Sequence, residues 1–398
     1  MIYWHRRFIL AYENMLRSLE PRFACITIPY WDYFADFAKK MNNLCSTFEG
    51  CSTFLSEFGG STAPVANISL NNIWVNGTCN NSSMISRYCQ QMTPGGPQTC
   101  TCVPRGEWAV KGFPAGYGYG TLAKILSGSY GFAWFSQNVH YSFHNPIHNT
   151  ANGSMATLAT SADPIFYSHH STTDLVHQLF YDCQVGRPMT ENEKKTSGYA
   201  FQPYGLTTSD ISPTALSNIT QDWQGQSLPK IMAEDHPLLS PFFSPLPNQY
   251  WQWVSGTDLG NNSYTYEKDA LFAILQNNGI SCPQNRARRL AVTRIPPTGD
   301  MRTRSVIKAF NLFSTVFNDA LAVEQNRFAA FEQVELMECA YYHYMFGSVD
   351  DLSDNFKRNF GLPDTAHTTC WQRINELRMG VKRIIVSNWL YTFMQHLQ

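Results

Sequence analysis

One stretch constrains this chain more than any other: HNPIHNTANGSMATLATSADPIFYSHHSTTD, from His144 to Asp174. His144 and His148 stand at i and i+4, which places both on one face of a helix about one turn apart. Asp163 is a good helix N-cap, and Pro164 suits the first helical position, where a missing N–H costs little. The helix they open presents His169 and His170, with Asp174 one turn beyond His170. Two facing helices with inward imidazoles supply three nitrogen ligands, a set suited to Cu, Zn, Fe or Ni. Taken singly, an HxxxH pair or an HH dipeptide is more often an ordinary surface or core feature. Their succession within one short segment points to a metal.

With DPIFxxHHxxxD following HNxxH, the stretch resembles the second copper site (CuB) of tyrosinases, catechol oxidases and related type 3 copper proteins. The Asn-Gly-x-Met at Asn152–Met155 makes the animal-type tyrosinases the nearest likeness. The resemblance implies a mainly α fold, a tyrosinase-like helical bundle around a dicopper centre, with His144, His148 and His170 as the CuB ligands. Near the start, Trp4-His5-Arg6, Glu13 and Ile28-Pro29-Tyr30-Trp31-Asp32 resemble the third ligand of the first copper (CuA) with its following helix and turn. His5 is then the one CuA ligand in this chain. The family places two more upstream, but only four residues precede His5 and none is histidine. The expectation is a chain truncated at its amino terminus within the first copper site, its secretory signal missing with the lost segment.

At 398 residues the chain is long enough for two domains of typical size. Lys plus Arg is 29 against Asp plus Glu 30, so no nucleic-acid partner is indicated. No uninterrupted apolar run approaches the roughly 18–20 residues of a membrane span. The 11 cysteines, with Cys45, Cys51, Cys79, Cys89, Cys100 and Cys102 close together, favour disulfides over zinc because no histidine lies near Cys100-x-Cys102. An odd total leaves at least one thiol free or intermolecular. Sequons at Asn67, Asn76, Asn80, Asn81, Asn152, Asn218 and Asn261 agree with a secreted or lumenal glycoprotein.

Along the chain, periodicity predicts a helix over 4–18 with Phe8, Tyr12 and Leu16 on one stripe. Residues 40–125 read as a loop-rich, disulfide-stapled insertion, followed by a short amphipathic stretch from Leu122 to Leu126. The aromatic segment 131–144 reads as core, with His140 a satisfied neighbour of His144 or a group that supports a ligand from behind. Phe166, His170, Thr173 and His177 give the 163–184 helix one inner face, and His177 is read as structural. Asp174 is expected to pair with Arg6 and so to orient ligands from behind. His236-Pro237-Leu238-Leu239-Ser240-Pro241-Phe242 and Tyr264-Thr265-Tyr266 resemble the late core and terminal Tyr-x-Tyr of the family, with His236 structural. The copper-binding core is thus 1–267 and a helical extension 268–398. In the extension, Val306, Phe310, Phe313, Phe317 and Leu321 trace a stripe within 301–346 that stops at Gly347. Ile374, Leu377, Val381, Ile384 and Phe393 trace another. His343, His367 and His396 have no ligand spacing.

The resemblance implies oxidation of phenols and o-diphenols (catechols) to o-quinones by O2 at two copper ions. Asn145 matches a residue that holds a water in some members, together with a Glu eight or nine residues upstream. Here that neighbourhood is Phe135 and Ser136, and no acidic residue lies between Glu107 and Asp163. A general base must reach its proton, so catechol oxidation is the expectation. The alternatives are a hemocyanin-like oxygen-binding protein and a non-catalytic glycoprotein of the same fold. No sequence feature fixes the oligomeric state.

Overall fold

The computed structural model describes residues 1–70, 72–80, 84–90, 99–128, 130–201, 212–217, 220–221, 231–268, 270–277, 294–296 and 298–397. Helix α1 (Ile2–Leu19) opens the chain, slightly longer than the periodicity predicts. Its buried face is not the Phe8–Tyr12–Leu16 stripe, which is only half-buried, but Ile2, Tyr3, Arg6, Arg7 and Ile9–Ala11. Two charged residues can lie inward because both are paired: Arg6 with Asp174 and Arg7 with Glu234. An extended run then leads to α2 (Tyr33–Met41), capped by Asp32, whose carboxylate accepts the Ala35 N–H at 3.0 Å.

The cysteine-rich insertion carries more regular structure than its composition suggests. Short helices α3 (Phe48–Cys51) and α4 (Thr53–Glu57) precede two antiparallel pairs, β1 (Val65–Leu70) with β2 (Ile73–Thr78), and β3 (Tyr88–Gln90) with β4 (Thr99–Thr101). The first hairpin turns through Asn72 at φ 66°, a left-handed conformation that asparagine tolerates. The six clustered cysteines pair among themselves as Cys45–Cys51, Cys79–Cys102 and Cys89–Cys100. Cys339 bonds Cys370, Cys183 is disulfide-bonded, and the exposed Cys25 is the free thiol among the described residues. Asn67, Asn76, Asn152 and Asn261 are exposed, whereas the Asn80 amide already donates to Gly59 O at 2.8 Å. Sequons Asn81 and Asn218 lie outside the described residues.

Helix α5 (Tyr119–Ser127) is buried on every side from Tyr119 to Leu126, so Leu122–Leu126 is a central element rather than an amphipathic one. After α6 (Phe132–Val139) comes one π-helical turn, His140–His144, and then α7 (Asn145–Ala151). The helix opens here because Pro146 has no N–H to give and its ring clashes with the carbonyl four residues back. Helix α8 (Ile165–Gln184) is buried along almost its whole length. It starts one residue later than predicted, with Pro164 at the cap position and the Asp163 carboxylate accepting the Ile165 N–H at 3.1 Å. Asp163 is equally a partner of Arg105, which grips it through two bonds of 2.7 Å and so fastens the insertion to the start of α8.

Short helices α9 (Glu191–Thr196), α10 (Ser240–Phe243) and α11 (Ala270–Asn277) follow. The predicted stripe over 301–346 is two helices, α12 (Met301–Glu324) and α13 (Arg327–Phe346). They part at Gln325 (φ 51°), and Asn326 caps the second by accepting the Ala329 N–H at 3.0 Å. The last stripe is likewise broken, into α15 (Thr369–Arg378) and α16 (Trp389–Leu397) after α14 (Asp354–Asn359), and Val381 between them is 66% exposed. By length and mean hydropathy α12 is apolar enough to cross a membrane, although its apolar run is interrupted, as the sequence indicated. Its apolar residues, Phe310, Phe313, Val316 and Phe317 among them, lie in the core instead.

Among the described residues the main cluster of buried apolar side chains runs from Ile2 to Leu397, with two small ones beside it. The last quarter of the chain packs on the first three-quarters: Lys124 of α5 pairs with Glu335 of α13 at 2.6 Å, which also takes Arg373 of α15 at 2.8 Å. The Asn149 amide of α7 donates to Asp351 O at 3.2 Å and accepts the Ser353 N–H at 2.9 Å. These bonds hold α14 against α7 and bring the Phe360 ring to 5.8 Å from that of His148.

Candidate metal centre

The π turn, α7 and α8 bring four buried histidines together: His144, His148, His169 and His170, each offering a ring nitrogen within 4.8 Å of the others. His148 Nε2 and His170 Nε2 are 3.4 Å apart. His144 Nδ1 donates to Asn145 Oδ1 and His148 Nδ1 to Met155 O, both at 2.8 Å. A neutral imidazole that donates from Nδ1 keeps its lone pair on Nε2, so both rings turn that lone pair inward. Met155 belongs to the Asn152–Met155 motif, whose Gly153 (φ 56°) passes so close to Pro104 and Arg105 that a Cβ there would strike their backbone. That motif therefore positions a ring nitrogen, a role its sequence did not disclose.

The second pair of rings has no such anchors. Both nitrogens of His169 and Nδ1 of His170 are buried without a hydrogen-bond partner, as is Nε2 of His144. Buried polar atoms left unbonded are costly, and several converging on one place suit a positive ion that would satisfy them together. Burial, followed by their mutual repulsion when charged, holds His144, His169 and His170 well below the usual histidine range. Burial likewise pushes His148 down to about 4, against the bond to Met155. All four are thus neutral at pH 7 with lone pairs to give. The donor set, all borderline imidazole nitrogen with no thiolate, fits copper.

His5 lies outside the group of four but beside it. Its ring stacks on His170 with centroids 3.7 Å apart, and its Nδ1 donates to Met1 O at 2.9 Å, leaving Nε2 for a ligand. His140 stacks on His144 with centroids 5.0 Å apart. Its Nε2 has no partner, which leaves the other of its two expected roles, a ring set behind a ligand. His177, His236, His343, His367 and His396 do not join the cluster; His177 Nδ1 accepts from Arg6 at 2.9 Å and His367 Nδ1 bonds Asp351 at 2.6 Å.

The predicted Arg6–Asp174 pair is present, fully buried, at 2.5 Å. It is the middle of a larger hub. Arg6 also donates to Trp253 O at 2.6 Å, while the hydroxyls of Tyr264 and Tyr266 donate to Asp174 Oδ2 at 2.5 and 2.7 Å. The sequence offered both tyrosines only as a family end-mark. Nothing in their spacing said that they reach a carboxylate about 90 residues earlier.

Comparison with known proteins places these residues. Residues 1–182 match the common central domain of tyrosinase. The chain is 29% identical over 176 residues to the tyrosinase of Streptomyces antibioticus, covering 43% of this chain and 58% of that one. It is 28% identical over 190 residues to the tyrosinase of Streptomyces galbus (46% and 62% covered), and 25% identical over 195 residues to grixazone synthase of Streptomyces griseus (43% and 61%). The chain thus spans about three-fifths of the length of these relatives. No solved structure matches it.

Proposed function

We propose that the protein is a copper-dependent oxidoreductase that converts phenols and o-diphenols to o-quinones with O2, catechols foremost. The observation that carries this reading is the buried group of four imidazoles, set within a segment that matches a tyrosinase central domain. In this reading His144, His148 and His170 hold the second copper and His5 contributes to the first. Copper, once bound, supplies the electrons passed to O2. The core is taken as 1–267, of the animal type by its Asn152–Met155 motif, and the paired cysteines support a secreted or lumenal setting.

The chain's own side chains orient and insulate. Asn145 and the Met155 carbonyl fix two rings, and outer-shell anchors of this kind commonly change metal affinity by about 10–100-fold. The Arg6–Asp174 hub clamps α1 to α8 and keeps His5 stacked on His170. The Asn145 oxygen is occupied by His144, and no carboxylate stands in the preceding helix to share a water with it. The monophenol route through such a base is therefore unsupported, which favours catechols.

A second reading, an oxygen-binding protein, is favoured by how closed the cluster is: His144, the most accessible of the four, is only 7% exposed. The test is to load the protein with Cu(I), count copper, and follow O2 uptake with 4-methylcatechol. Quinone formation supports the oxidase. Reversible O2 binding without turnover selects the carrier, and about one copper per chain with no O2 uptake selects a non-catalytic protein.

A further inference from the structure

A cavity of about 390 Å³ lies between the second half of α1, the Thr27–Tyr30 segment, Ser171 of α8 and Tyr264–Glu267. No histidine lines it. Its size is that of a small-molecule pocket. Ile9, Leu10 and Ile28 give it an apolar side, and three tyrosines give it walls. Tyr266 stands nearly perpendicular to both others: 88° to Tyr264 with centroids 5.6 Å apart, and 79° to Tyr30 at 6.2 Å. Tyr266 thus meets each neighbour edge to face at the cavity lining, and the faces of such rings are negative.

The charges point the same way. Glu13 is paired with Arg17 at 2.6 Å and also accepts the Ile28 N–H at 2.8 Å, so it holds the wall and is neutralised. Arg17 spends a second donor on Ile26 O at 2.8 Å. The Tyr264 and Tyr266 hydroxyls are committed to Asp174. An anion would find few free donors here. Glu267, exposed and with no salt bridge among the described residues, leaves the lining one negative charge in excess. We propose that this cavity binds an organic ammonium cation with an apolar body, its charge against Tyr30, Tyr266 and Glu267 and its body on Ile9 and Leu10.

The test is calorimetry on the full chain with benzyltrimethylammonium, and with choline against its uncharged isostere 3,3-dimethylbutan-1-ol. The expected result is saturable binding of benzyltrimethylammonium at one per chain, with choline bound about tenfold more tightly than the isostere. Tyr30→Leu, which keeps the wall apolar but removes the ring, should weaken binding about fivefold or more, and Glu267→Gln about threefold. Absence of saturable binding up to about 10 mM would overturn the proposal. So would equal binding of choline and its isostere, or binding unchanged in both variants. Should Tyr30→Leu fail to fold by circular dichroism, the surface variant Glu267→Gln and the isostere comparison decide.

Discussion

The two helices that meet at the candidate metal centre hold their histidines by different means. On the α7 side, His144 and His148 are each pinned through Nδ1, so their rings face inward before any ion arrives. On the α8 side, three of the four nitrogens of His169 and His170 are buried and unbonded, and packing alone sets the rings. What α8 has in place of ring anchors is the Arg6–Asp174–Tyr264–Tyr266 hub one turn beyond His170. One half of the centre is oriented locally, the other by a structure that spans the fold.

The largest effect should come from breaking that hub. Asp174→Asn leaves Arg6 buried beside a neutral partner and should cost about 3–5 kcal/mol of stability, measured by urea unfolding. A cost near zero would remove the hub from the account of α8. Next, His148→Ala and His170→Ala should each weaken copper binding roughly a hundredfold or more, by competition with a chelator. If only the α7 variant did so, the unanchored rings would not be ligands.

Acid should act on the metal-free protein in the same direction. Burial depresses His148 to about 4, so between pH 6.5 and 4 the unfolded chain binds a proton that the native one refuses. Stability is then fully present above about pH 6.5 and falls on acidification, by up to about 1.4 kcal/mol per pH unit for each such histidine. Thermal melting across that window, with and without copper, checks it. The smallest effect sharpens the contrast most. In metal-free protein, His148→Phe strands the Met155 carbonyl and should cost about 1–2 kcal/mol, whereas His169→Phe breaks no hydrogen bond and should be close to neutral. Equal costs would erase the distinction between the two helices.

Much of this centre was legible in the chain because its parts are local. HNxxH and HH sit on elements whose periodicity is plain, and the Arg6–Asp174 pairing followed from opposite charges placed beside two candidate ligands. What stayed hidden depends on distance or on backbone. Met155 holds His148 through a carbonyl, which every residue possesses, so its identity carried no signal. Arg105 reaches Asp163 across 58 residues from inside a segment read as loop. The π turn follows from Pro146 meeting a helix that has to continue, a conflict that helical periodicity does not register. In the extension, the apolar stripe ran smoothly through Gln325–Asn326 because the cap that divides it is polar and lies off the stripe.

The long reach of the Asp174 hub sets a timetable for biosynthesis. Its four side chains come from the first helix, the middle of α8 and the extended Tyr264–Tyr266 segment, so no amino-terminal fragment ending before residue 266 contains all of them. A nascent chain would present HNxxH and HH well before it owned the clasp that steadies the second pair. An ion captured before synthesis has passed that point would therefore meet a half-built cradle.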